Sequence, residues 1–116
     1  MTKIEFETKF KEGDVIVSRH WMFIYARLQP CVLARNEARN AIVYHALFNM
    51  RNGYDIITAT RTGIGYIEGR DFRFANNREK KMLYDALAGK KYKWNPELNR
   101  LEYTGEVVVI DNEMPF

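Results

Sequence analysis

The stretch 58–70, TATRTGIGYIEGR, holds the side chains best suited to binding an anion. Its glycines expose backbone N–H groups, its arginines and threonines donate hydrogen bonds to phosphate oxygens, and a tyrosine ring stacks on a base. We therefore predict that this loop, with one tyrosine from the preceding turn, binds a small phosphate-bearing ligand. The predicted ligand-binding residues are Arg61, Thr60, Thr62, Gly63, Gly65, Tyr66, Arg70 and Tyr54.

A structural role for the same glycines is the alternative. A dinucleotide fingerprint requires G-x-G-x-x-G between a strand and a helix, whereas this stretch reads G-x-G-x-x-x-G and leads into β-rich sequence. A Walker loop is excluded because no Gly-Lys-Ser/Thr follows. Gly63 and Gly65 fit a bulge or a tight turn between strands, and Gly69 fits a kink within one. Both roles are compatible, because a glycine-rich turn leaves its N–H groups exposed.

Side chains that carry out acid–base, nucleophilic or metal chemistry are few and scattered. His20 and His45 share no H-x-x-x-H or H-x-H spacing, Ser18 lacks a G-x-S-x-G context, and Cys31 is the single cysteine. We interpret His45 as a half-buried strand residue. The sequence predicts no catalytic residues, no metal site, no cofactor and no enzymatic activity.

Composition predicts one compact domain in a reducing compartment. A chain of 116 residues buries one core, and its single cysteine excludes an internal disulfide. The net charge is +3, and the segment after Gly105 adds acids but no bases, so the rest of the chain is more basic than this total. The N-terminal sequence MTKIEFETKF has no apolar secretion-signal core, and no apolar run is long enough for a membrane span. We expect a cytoplasmic protein that does not bind membranes.

The chain changes its hydrophobic period once. Before Phe74, apolar and aromatic runs alternate at the period of strands, with Gly13-Asp14 and Asn52-Gly53 as turn signals. Residues 10–30 hold one apolar run after Gly13-Asp14 and a second, aromatic run after Ser18, which predicts a hairpin or a tightly bent strand pair; the runs 41–48, 56–60 and 66–74 follow, with a turn or short exposed helix at 30–41. The run after Ser18 is apolar on both faces, which is typical of a central strand. These features predict a small, curved, partly closed antiparallel sheet of the SH3-like kind.

After Phe74 the spacing becomes helical. Met82, Leu83, Ala86 and Leu87 predict an amphipathic helix capped by Asn76 or Asn77, followed by a hairpin around Asn95-Pro96. The predicted class is α+β, as a single domain over 1–116: a β-rich part at 1–74, a helix and hairpin at 75–104, and a C-terminal strand or tail at 105–116. The apolar run 107–110 in this tail predicts strand pairing, within one chain or in a homo-oligomer.

Two segments resemble a family of small proteins of uncharacterised function encoded by gut-bacterial phages and prophages. The first is F-K-x-G-D, read here as FKEGD at 10–14; the second is E-K-x-x-L-x-x-A-L followed by Y-x-W-N-x-E-x-x-x-L, over 79–101. Lys91 stands where the family usually has glycine, and Asn76 where it usually has threonine. The resemblance implies a small β-sheet with a helix, and a phage accessory protein that acts in the host bacterial cytoplasm.

Three functions remain open. We favour a non-enzymatic protein that sequesters a small anionic nucleotide-type signalling ligand, as a counter-defence protein would. The second is an interaction module that inhibits a host protein through an exposed strand edge and an aromatic anchor such as Trp21 or Trp94. The third is a nucleic-acid-binding protein, because arginines and aromatic residues are interleaved in the β-rich part.

Overall fold

The computed structural model describes residues 1–52 and 55–105. The elements in chain order are α1 Lys3–Lys9, β1 Val15–Ser18, β2 Trp21–Val32, β3 Ala38–Asn49, β4 Ile56–Ile57, β5 Arg61–Tyr66, β6 Arg73–Phe74, α2 Asn77–Gly89, β7 Tyr92–Asn95 and β8 Arg100–Tyr103. The predicted Asn52-Gly53 turn, the ligand role of Tyr54 and the predicted tail strand at 107–110 lie outside the described residues. Within the described part of the chain, no helix is long and apolar enough to cross a membrane.

The sheet is antiparallel and built around one long hairpin. Strands β2 and β3, each 12 residues long, pair along their whole length. The strand order is β4-β3-β2-β1-β6, and β5 pairs with β3 on the edge that it shares with β4. Strands β7 and β8 form a separate hairpin. The predicted α+β class is confirmed, with a curved sheet that is not closed, a helix and a C-terminal hairpin.

Two apolar clusters lie on opposite sides of this sheet. On the side that we call the α1 face, Phe23, Tyr25, Ile42 and Tyr44 pack with helix α1. On the side that we call the α2 face, Met22, Ile24, Ala46 and Phe48 pack with helix α2 and with Trp94 of β7. The alternation along β2 therefore places its apolar residues on both faces, as the sequence predicted for a central strand.

Helix α1 was not predicted. It is only 7 residues long, with Thr2 as its N-cap, and its Phe6 side chain is fully buried. The ring centroid of Phe6 lies 5.1 Å from that of Tyr25 and 5.2 Å from that of Phe72. An isolated helix this short is unstable in water, so packing on the sheet stabilises it. The sequence pattern missed it because two aromatic residues, Phe6 and Phe10, make the whole of its buried face.

The segment 61–74 differs from its prediction. The glycine-rich residues form strand β5, whereas 67–72 leave the sheet and place Ile67 and Phe72 in the α1-face cluster. The prediction of a strand over 66–74 is therefore wrong except at its ends. The pairs Ala41–Tyr66 and Val43–Thr62 leave three residues of β5 opposite one residue of β3, which is a bulge. Gly65 has φ +98° there, so it supplies the left-handed backbone that the bulge requires.

Helix α2 begins where the sequence predicted. Asn76 is the N-cap, and its side chain accepts a hydrogen bond from the backbone N–H of Glu79, whose carboxylate in turn accepts one from the backbone N–H of Asn76. Leu83 and Leu87 form its buried side. The left-handed residue after the helix is Lys91, with φ +64°, which is not the glycine that ends the helix.

Candidate ligand-binding face

Arg70, one of the predicted ligand residues, is used inside the fold. Its guanidinium donates hydrogen bonds to the carbonyl oxygen of Ile64 and, at 3.2 Å, to Oγ of Ser18, and it lies 5.6 Å from the ring centroid of Phe72. Burial, and the charge of Arg19, lower the pKa of Arg70. Through Arg70, the carbonyl of Ile64 in β5 is linked to Ser18 of β1, so Arg70 holds the bulge against the sheet.

Gly63 and Gly65 are also fitted to their neighbours. A Cβ at Gly63 would lie 3.0 Å from the hydroxyl of Tyr44, and one at Gly65 would lie 3.2 Å from a guanidinium nitrogen of Arg70. The surroundings of Gly63 and Gly65 therefore support the bulge that the sequence predicted as the alternative to ligand binding.

The remaining predicted residues divide between the two sides of the sheet. Directly paired residues of antiparallel strands project to the same side. Arg61 is paired with Tyr44 and so projects to the α1 side. Val43 is paired with Arg27 of β2 and with Thr62 of β5, so these three residues project together to the α2 side. Arg61 and Thr62, adjacent in sequence, thus belong to different surfaces.

Three rows of paired residues continue along the α2 side beyond the part that helix α2 covers. The first row is Thr62, Val43 and Arg27; the second is Tyr66, Ala41 and Gln29; the third is Arg39 and Cys31. We call these eight residues the open face. Successive rows are two residues apart, or about 7 Å. The side chains of Arg27, Gln29 and Thr62 are exposed and the other members are half-buried, except Val43, which is buried between its two neighbours. The accessible part of this surface therefore consists of the side chains on either side of Val43 and those of the two further rows.

His45 lies at the boundary between the open face and the covered part of the α2 face. Ile24 is paired with Ala46 and Tyr25 with Tyr44, so His45 has no opposing residue in β2 and forms a bulge. A bulge redirects the side chain that it carries. The imidazole lies over the indole of Trp94, with ring centroids 5.2 Å apart and planes 40° apart.

Two side chains from distant elements hold the imidazole. Its Nε2 lies 3.0 Å from Oε2 of Glu12, in the segment between α1 and β1, and its Nδ1 lies 3.0 Å from Oγ1 of Thr60, just before β5. An ionised carboxylate only accepts hydrogen bonds, so Nε2 carries a proton. In the neutral ring Nδ1 then accepts the hydroxyl proton of Thr60. We call this arrangement the Glu12–His45–Thr60 chain.

Sequence spacing gave no sign of this chain. Glu12 is 33 residues and Thr60 15 residues from His45, so the fold alone brings them together. The one signal was the polar residue itself, in the otherwise apolar run AIVYHALF. Its side chain is 13% exposed, which agrees with the half-buried strand residue that the sequence predicted.

A cleft of about 360 Å³ beside Glu12 borders the open face. Its lining includes Glu7, Glu12, Tyr25 and Arg27. Burial and the negative charges of Glu7 and Glu12 raise the pKa of Tyr25 to about 12, so its phenol remains a neutral hydrogen-bond donor at physiological pH. The acidic side chains of Glu7 and Glu12 and the basic side chain of Arg27 therefore give this end of the open face both signs of charge.

The larger concavity, about 610 Å³, lies elsewhere. It is formed between α2 and the β7–β8 hairpin by apolar and aromatic side chains, among them Tyr84, Leu87, Tyr92 and Trp94. None of the predicted anion-binding residues that the structure describes lines it. In residues 1–52 and 55–105, no group of three or more His, Cys, Asp or Glu side chains is arranged to hold a metal ion.

No protein-family model matches the chain, and neither the curated proteins nor the solved structures include a significant match.

Proposed function

We propose that the protein binds and sequesters a small nucleotide-type anion on the open face, without converting it chemically. The observation that carries the proposal is the register of β3, which sets Arg27 and Thr62 on either side of Val43 and, one row further, Gln29 and Tyr66 on either side of Ala41. Arginine and threonine suit a phosphate, and a tyrosine ring with a carboxamide suits a base.

The row spacing supports a nucleotide. Two residues along a strand are about 7 Å, which is comparable to the separation of phosphate and base across a ribose. Arg39, in the third row, is then placed for a second phosphate. It forms an exposed ion pair with Glu37 at 2.9 Å, and an exposed pair of this kind is weak enough for a phosphate to replace it.

A single sheet face covers one side of a ligand only. A second copy of the chain would supply the opposite wall, which is the form of homo-oligomer that this function favours. The resemblance to phage proteins supports a cytoplasmic setting in which removal of a host signalling nucleotide would act as counter-defence.

Binding of single-stranded nucleic acid is the second candidate. The observation that favours it is the length of the open face, whose rows alternate basic, aromatic and basic residues over about 14 Å, taken as four residues of strand. Sheet faces of this kind stack successive bases. By contrast, Trp94 is only 8% exposed and belongs to the core, so no observation favours it as the anchor of an interaction with a host protein.

The test is a thermal-unfolding scan against cyclic dinucleotides, ADP-ribose and a short oligonucleotide. A ligand at a hundredfold excess over its Kd adds about 2.7 kcal/mol to the free energy of unfolding, which raises the Tm by several degrees in a domain of this size. A shift with one small nucleotide supports sequestration. A shift with the oligonucleotide alone, lost on raising the salt concentration, would replace it with the second candidate.

Two arginine variants test the location of the site. Arg27→Gln removes a cation from the open face, and Arg61→Gln is the matched control because Arg61 projects to the α1 side. We expect Arg27→Gln to weaken nucleotide binding at least tenfold, and Arg61→Gln to change it less than threefold. The opposite ranking would contradict the open face and return the site to the glycine-rich loop of the sequence prediction.

A further inference from the structure

We propose that the Glu12–His45–Thr60 chain couples anion binding on the open face to uptake of one proton by His45. This inference rests on the proposed function, since it concerns the regulation of the same site. Thr60 comes two residues before Thr62 on the same segment, and His45 comes two residues after Val43 on β3, with Glu12 reaching the imidazole from the segment between α1 and β1. Two residues separate Thr60 from Thr62 and His45 from Val43, so a phosphate held in the first row lies within about 7 Å of the chain.

The Glu12–His45–Thr60 chain has two hydrogen-bonded states. In the neutral state Nε2–H donates to Glu12, and the Thr60 hydroxyl donates its proton to Nδ1. In the protonated state both ring nitrogens donate, so the Thr60 oxygen accepts from Nδ1–H and its own hydroxyl proton is released toward the open face. Glu12 accepts from Nε2–H in both states. Protonation therefore creates a hydroxyl donor and a positive charge without breaking the chain.

An anion on the first row interacts better with the protonated state, because that state presents the donor and the charge. By thermodynamic linkage, the affinity of the protein for this anion must then rise as the pH falls. If binding is coupled to uptake of one proton, the affinity rises by at most about tenfold per pH unit. Histidine is the side chain that ordinarily changes charge between about pH 5 and 8, so the affinity is compared across this range.

The other ionisable groups on the elements around the imidazole do not produce this dependence. Glu12 comes from the segment before β1, Arg61 follows Thr60, Lys93 precedes Trp94, and Tyr25 lies on β2. Carboxylate, guanidinium and ammonium side chains do not ordinarily change charge between pH 6 and 8. Burial, together with the charges of Glu7 and Glu12, places the pKa of Tyr25 at about 12, so the phenol stays neutral.

The experiment is calorimetric titration with cyclic di-AMP, whose phosphodiesters do not titrate between pH 6 and 8. Measuring the heat in buffers of different ionisation enthalpy counts the protons taken up. We expect Kd to be about tenfold lower at pH 6 than at pH 8, which corresponds to uptake of about half a proton on average across this range. His45→Gln should abolish both effects and Thr60→Val should reduce them, whereas His20→Gln, the matched control on the β1–β2 turn, should leave them intact.

The outcomes separate the two proposals. Equal Kd at both pH values, or proton uptake that survives His45→Gln, would overturn the coupling and leave the binding function in place. No binding of cyclic di-AMP at either pH would overturn both. Thermal melts of the variants show whether each is folded, and Thr60→Val, which changes one exposed side chain, keeps the test valid if His45→Gln destabilises the sheet.

Discussion

At the residue scale, the glycine-rich stretch shows how one sequence motif serves the fold. The sequence predicted a bulge at Gly63 and Gly65 as one of two possible roles, because glycine tolerates the backbone that a bulge requires. It could not show that Arg70 folds back onto the carbonyl of Ile64, because that contact depends on where 67–72 leave the sheet. It also could not bring Glu12 and Thr60 to His45, since hydrogen bonds between distant segments follow from the finished topology alone.

Gly65→Ala tests the bulge. The residue has φ +98°, and a Cβ would lie 3.2 Å from the Arg70 guanidinium, so we expect a loss of about 1–3 kcal/mol in the free energy of unfolding. Gly89→Ala is the control, because no atom lies within 4 Å of a Cβ there and the residue ends helix α2. It should be neutral or stabilising, by up to about 1 kcal/mol. Urea unfolding of both variants gives the comparison; a Gly65→Ala variant as stable as the wild type would contradict the bulge.

At the element scale, elements with a strong local period were predictable. Strands β2 and β3 and helix α2 were confirmed because each repeats its apolar residues over many positions. Helix α1 and strand β5 were missed because their form depends on partners: α1 on the aromatic cluster of the sheet, and β5 on the register with β3. The open face follows from that register, so no local pattern could have identified it.

Helix α2 carries a pH-dependent contribution to stability. Hydrogen bonds from Arg73, at 2.7 and 2.8 Å, lower the pKa of Glu79, to which the backbone N–H of Asn76 also contributes. The pKa of Glu79 is lower in the folded state than in the unfolded state. Ionised Glu79 therefore stabilises the fold at pH values above its unfolded-state pKa, and this stabilisation is lost as the pH falls through its folded-state pKa.

Glu79→Gln should therefore lower the Tm at pH 7, and the difference from the wild type should shrink as the pH is lowered toward 3. The measurement is thermal unfolding of wild type and variant between these values, with Asp85→Gln as an exposed control on the same helix. A difference between wild type and Glu79→Gln that stays constant with pH would contradict this assignment.

At the scale of the whole molecule, the two sides of one hairpin present different sets of side chains. Along β3, Ile42 and Tyr44 project into the core under α1, while Ala41 and Val43 project to the open face. This basic protein presents Arg27, Arg39 and Tyr66 on the open face. His45 lies beside them, held between the carboxylate of Glu12 and the hydroxyl of Thr60. Placement of a nucleotide on this side is the central claim, and it depends on the alternation of β3 together with its register to β2 and β5.

Methyl NMR of the wild-type protein titrated with cyclic di-AMP tests that claim most directly. The methyl groups of Ala41, Val43 and Thr62 report on the open face, those of Ile42 and Ile64 on the α1 side, and that of Leu87 on the groove between α2 and the β7–β8 hairpin. We expect the shifts to be largest at Ala41, Val43 and Thr62 and small at the other three. Shifts concentrated at Ile42 and Ile64, or at Leu87, would contradict the open face as the binding site.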